Sequence, residues 1–138
     1  SSGTSGGQFN EVHRHRWNIL ACPASTFAFA EDERRVFAAW ESKGHVYVKD
    51  VLSGDSAVNV SKAGKSGKYP TIAMNAQGDR LVAWSTGTGW AKGGYIKYRV
   101  TNRDGIVSSQ GNRPGHFPAA YSFSSACALP TGDFILFY

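Results

Sequence analysis

At 138 residues with 41% hydrophobic side chains, the chain suits one compact domain built round its own core. Sixteen glycines and a 13% aromatic share favour strands joined by tight turns, and no apolar run approaches the roughly 18 residues of a membrane helix. Fifteen Lys and Arg against ten Asp and Glu give +5, which favours acidic partners such as anionic glycans. The charges are dispersed and carry no RNP-like, helix-turn-helix or zinc-finger pattern, so nucleic acid is not the expected partner.

In chain order, residues 1–10 open with SSGTSGG and are set aside as a flexible linker or a vector-derived end. EVHRHRWNIL (11–20) is a strand candidate. It places His13 and His15 on one face and Arg14 and Arg16 on the other, so two imidazoles could share a Zn²⁺ or Cu²⁺. A third ligand would have to come from His45, His116, Cys22 or an acid, none at a metal-ligand spacing. The plainer account is the polar face of an edge strand, and no metal or other cofactor is expected. Cys22, in ACPAST (21–26), has no neighbouring base or redox partner and is taken as a packing position. Cys22 and Cys127 form no CxxC; they are two buried thiols, the favoured reading, or one disulfide.

One phrase is then written three times: TFAFAEDERRVFAAW (26–40), TIAMNAQGDRLVAW (71–84) and SACALPTGDFILFY (125–138). Anchored on the closing aromatic, Trp40, Trp84 and Tyr138 coincide, as do Ala28, Ala73 and Cys127. Gly78-Asp79 matches Gly132-Asp133, where the first copy has EDERR. Each copy predicts a β-hairpin, with glycine supplying a positive φ at the turn. After Trp40 and Trp84 a third strand follows, in which Val46, Val48 and Lys49 align with Ile96, Tyr98 and Arg99. A fourth follows near 56–61 and 105–110. Four short antiparallel strands per period of about 45–54 residues is the signature of a β-propeller blade. The repeats lie near 24–61, 69–110 and 117–138, giving two complete blades and a partial third.

Two loops carry binding-type residues. STGTGWAKGG (85–94) sets Trp90 and Lys92 among glycines, where a ring can stack on a sugar and an amine can attract an anion; the bland alternative is that Trp90 folds back over the sheet edge. KAGKSGKYP (62–70) carries Lys62, Lys65 and Lys68, more simply read as a solvated connection.

YPTIAMNAQGDRLVAW (69–84) resembles the BNR/Asp-box blades of the sialidase-like β-propeller superfamily, in particular the repeats P-x-(I/V)-A-x-(N/D)-x-x-G-x-x-L-x-A-W of bacterial exported proteins. The resemblance covers about 17–138. It implies an all-β propeller, a periplasmic or extracellular location, and a box that stabilises a turn and takes no part in catalysis. The strict box S-x-D-x-G-x-x-W is degenerate here, since MNAQGDRLVAW lacks its Ser and Asp. Sialidase-like enzymes use three arginines, a Tyr/Glu pair and an Asp. Here Glu31, Asp32, Glu33, Asp55, Asp79, Asp104 and Asp133 stand in turn-like surroundings, and no catalytic residue carries over. A closed ring needs about four to eight blades, so the ring would be completed by a longer polypeptide or by identical chains head to tail. The expected role is a non-catalytic ligand-binding or interaction module, with glycan as the candidate ligand. The alternatives are the C-terminal portion of a sialidase-like glycoside hydrolase and a purely structural, ring-completing piece.

Overall fold

The computed structural model describes Glu11 and residues 27–61, 67–88, 94–112 and 123–138. These residues form ten strands and no helix. The first sheet contains β1 (Phe27–Glu31), β2 (Val36–Ser42), β3 (His45–Asp50) and β4 (Val58–Asn59), paired antiparallel in that order. The second repeats the arrangement with β5 (Gly67–Met74), β6 (Arg80–Thr86), β7 (Tyr95–Thr101) and β8 (Val107–Asn112). The third holds β9 (Ser125–Ala128) and β10 (Phe134–Phe137). Each repeated phrase is therefore a hairpin, as expected, and the first two are extended by two further strands. Most of the predicted strand over 11–20 lies outside the described residues.

The fourth strands differ from the sequence expectation in extent. β4 pairs over only two residues, yet Val60 N–H still donates to Val46 O (2.9 Å) and Val46 N–H donates to Ser61 Oγ (2.9 Å). β8 begins two residues late because Asn102–Ile106 is a turn.

That turn is one of three with the same hydrogen-bond pattern, spanning Asn75–Asp79, Asn102–Ile106 and Leu129–Asp133. In each, the first N–H donates to the fifth carbonyl and the fourth N–H donates back to the first carbonyl. The fourth residue is Gly78, Gly105 or Gly132, with φ of 85°, 85° and 95°. This is the three-residue hairpin loop that ends in a left-handed residue, and glycine adopts it without a Cβ penalty. Where the first residue is asparagine, its Oδ1 also accepts the fifth N–H: Asp79 at 2.8 Å and Ile106 at 2.8 Å. The first repeat closes instead on an Asx turn, in which Asp32 Oδ1 accepts the N–H groups of Arg34 (2.9 Å) and Arg35 (2.8 Å).

Strand register assigns the faces. Ala28, Ala30, Phe37, Ala39, Val46, Val48 and Val60 pack against Ile72, Met74, Val82 and Trp84 of the second sheet, forming the main core. Trp84 is 4% exposed and lies close over Gly67, where a Cβ would stand 2.9 Å from the indole Cδ1. Burying such side chains contributes about 1.5–3 kcal/mol each. The other face of the second sheet buries Ala73, Leu81, Ala83 and Ile96. The opening strands run side by side, β5 lying next to both β1 and β9 without sharing a sheet with either. At the start of β5 a register shift accompanies Tyr69, whose φ of 53° is unusual for an aromatic residue, and the Tyr69 ring meets Phe123 edge-on at 4.9 Å.

The hairpin turns are stitched across sheets. Asn75 Nδ2 donates to Gly132 O (2.8 Å), and Arg35 Nη1 donates to Arg103 O (3.4 Å).

Candidate functional site: an arginine-lined cleft between two sheets

Toward the hairpin-turn end, the space between the first two sheets opens into a cleft of about 390 Å³. Register puts Arg80 and Arg99 on the face of the second sheet that carries Val82 and Trp84, because Arg80 pairs with Thr101 and Arg99 with Val82. They are diagonal neighbours across β6 and β7, a relation that sets backbones about 7–8 Å apart. Arg35 and Arg103 reach the same cleft from the β1–β2 and β7–β8 turns. Phe37 and Val48 form part of its apolar wall, and Asp50, paired with Phe37, faces in from the first sheet.

The four guanidinium groups are in different states. Arg35 donates from Nε (3.0 Å) and Nη2 (2.7 Å) to Asp32 Oδ2. With the turn N–H groups, this holds the Asp32 carboxyl down at about 2, the Arg35 side-chain hydrogen bond being the largest cause. The Arg80 guanidinium carbon sits over the Phe37 ring, 4.0 Å from its centroid. Burial lowers its pKa and the Arg35 charge adds to this, while Asp50 and Asp32 oppose them. Arg99 Nε is buried and has no hydrogen-bond acceptor. Among the described residues no carboxylate is within salt-bridge distance of Arg80, Arg99 or Arg103. Asp55 and Asp104 sit exposed at the rim.

At the opposite end of the same interface Glu41 is 6% exposed. Burial raises its pKa, against the charge of Lys68 and the N–H of Tyr69, which lower it. Gly67 N–H donates to Gly44 O (2.8 Å) beside it and ties the second sheet to the first.

The sequence-predicted ligand residues Trp90 and Lys92, and the metal candidates His13 and His15, lie outside the described residues, as do Lys62, Lys65, His116 and Cys22. No group of three or more His, Cys, Asp or Glu side chains that could hold a metal occurs among the described residues. Cys127 is a free, exposed thiol, unlike both the buried and the disulfide-bonded alternatives. Of the aligned closing aromatics, Trp40 and Trp84 are buried, whereas Tyr138 is 44% exposed. No helix among the described residues is long and apolar enough to cross a membrane.

Arg80 and Arg99 were not singled out from the sequence, although a signal existed. With the hairpins aligned on their closing aromatics, the position of Arg80 is occupied by Val36 in the first copy and Phe134 in the third. A charge at a position the repeat otherwise keeps apolar marks a local departure from the rule that builds the core. Compared with known proteins, the chain matches no family model, no curated protein and no solved structure.

Proposed function

We propose that the chain is a run of β-propeller-type blades, two of four strands and a partial third, acting as a non-catalytic interaction module. Cys127 gives the most direct support. The repeat aligns it with Ala28, packed against the core shared with the second sheet, and with Ala73, 6% exposed on the side toward β9. Cys127 is exposed, so the third sheet leaves bare the side that its two predecessors bury. On the opposite side of the first sheet, Phe27 and Phe29 are 49% and 66% exposed. Apolar sheet faces of this kind are interaction surfaces. Both take further sheets of the same repeat, supplied by a longer polypeptide or by identical chains head to tail. The ligand in this reading is a glycan met by the loop bearing Trp90 and Lys92, on a protein working outside the cytoplasm.

The test is the maleimide labelling rate of Cys127 in a Cys22→Ser background, measured with sedimentation mass over a concentration series. The same rate is then taken for any longer polypeptide containing the chain. Protection of Cys127 should rise with assembly or with the added sequence. A thiol that labels at the unhindered rate in every form would remove the stacking role. A glycan array answered equally by the parent chain and Trp90→Ala would remove Trp90 from the ligand site.

A further inference from the structure

We propose that the cleft between the first two sheets binds a tetrahedral oxyanion, the sulfate or phosphate group of a monoester, between the guanidinium groups of Arg80 and Arg99. Three independent observations lead there. First, the repeat offers the half-buried apolar residues Val36 and Phe134 where the second copy has Arg80, so a position the other copies keep apolar carries a cation on the face toward the first sheet. Second, Arg99 Nε is buried without an acceptor, and a buried unsatisfied donor is costly unless something fills its place. Third, Arg80 is held in position by the Phe37 ring with no carboxylate in salt-bridge range.

The geometry also restricts the ligand. One guanidinium fork satisfies both oxygens of a carboxylate, whereas a tetrahedral oxyanion has enough oxygens to engage two forks from different directions. Asp50 faces the two forks from the first sheet, while Asp55 and Asp104 stand among Lys49 and Arg103 elsewhere in the lining, so the ligand proposed is a single anionic group seated between Arg80 and Arg99. Val48, Val58 and Val82 line the same cleft and offer an apolar wall to the rest of the ester.

Arginine Hε–Nε correlations in ¹H–¹⁵N spectra of the whole chain read the site directly. Sodium sulfate, sodium phosphate, glucose 6-phosphate, sodium acetate and sodium chloride are titrated at matched ionic strength. The Arg80 and Arg99 signals should move saturably with sulfate, phosphate and the sugar phosphate, with the ester binding more tightly than inorganic phosphate. Acetate should bind at least about tenfold more weakly, since it engages one fork. Arg80→Val restores the residue type of the first repeat, keeps the fold and should abolish the response; Asp50→Asn should tighten binding. Arg99→Lys keeps the charge, loses the fork and should weaken binding about tenfold; it decides the matter if Arg80→Val fails to fold. Shifts no different from those in chloride, acetate bound as tightly as sulfate, or sulfate bound unchanged by Arg80→Val or Arg99→Lys would each overturn the assignment.

Discussion

Asn75→Asp is nearly isosteric and tests whether the second and third sheets are held together by the stitch between their turns. Asn75 is 5% exposed; its Oδ1 accepts Asp79 N–H, and its Nδ2 donates to Gly132 O (2.8 Å) and Asp79 Oδ2 (3.2 Å). The substitution keeps the accepted bond and deletes both donated ones, at roughly 1 kcal/mol each. It also sets a second carboxylate against Asp79. At a 3.2 Å separation the repulsion is about 1.3 kcal/mol at the dielectric of water and about 5 kcal/mol at an effective value of 20. With Asp79 half-buried, these contributions give an expected total loss of about 3–7 kcal/mol at neutral pH. The new carboxyl is raised in the folded state by its neighbour, so the folded protein binds that proton more tightly than the unfolded chain. The repulsive part is therefore absent below the ordinary carboxylate value and grows as pH rises through the raised one. Urea unfolding at a series of pH values, with amide exchange across β9–β10, measures both effects. A loss below about 1 kcal/mol, or a deficit that does not shrink on acidification, would refute the stitch as a stability element.

Gly67→Ala should cost about 1–3 kcal/mol by overpacking, because its Cβ would stand 2.9 Å from Trp84 Cδ1 and 3.1 Å from Val46 Cγ2; thermal unfolding followed by Trp fluorescence checks this, and an unchanged midpoint would contradict the packing. Burial raises the Glu41 carboxyl, so its contribution to stability is full below the ordinary carboxylate range and is lost as pH rises through the raised folded value. Glu41→Gln should flatten that part of the stability–pH curve, and identical curves would refute it. Asp32, held down at about 2, acts in the opposite sense: its contribution is full above the ordinary value and is lost as pH falls toward 2, so Asp32→Asn should reduce the acid sensitivity of unfolding.

Most of the strand plan was legible because each signal was local. Alternation in YIKYRV marks β7, and the Gly-Asp pairs mark two of the turns. The turn at Asn102–Ile106 has the same construction but overlaps the expected fourth strand in sequence, and Gly105 is followed by Ile106 where the hairpins have Asp. The cleft was far less visible. Arg99 looks like the polar half of an alternating strand, and only the pairing of β6 with β7 brings it beside Arg80. Glu41 follows Trp40 in a run that suggests an exposed strand end; its burial comes from the start of β5, 26 residues later in sequence, folding over it.

Every hydrogen-bonded strand pair among the described residues joins neighbours in sequence, and none of these ten strands waits for a distant partner. Such topology keeps loop-closure costs low and favours rapid formation of each sheet from its own segment. During synthesis the first sheet can pair its backbone as soon as Asn59 has emerged, while Phe37, Val46 and Val48 stay uncovered until Ile72, Val82 and Trp84 follow. The interval between pairing and covering runs from Asn59 to Trp84, about half the length of one repeat. That interval, more than the finished sheets, is where the nascent chain is most exposed to misassociation.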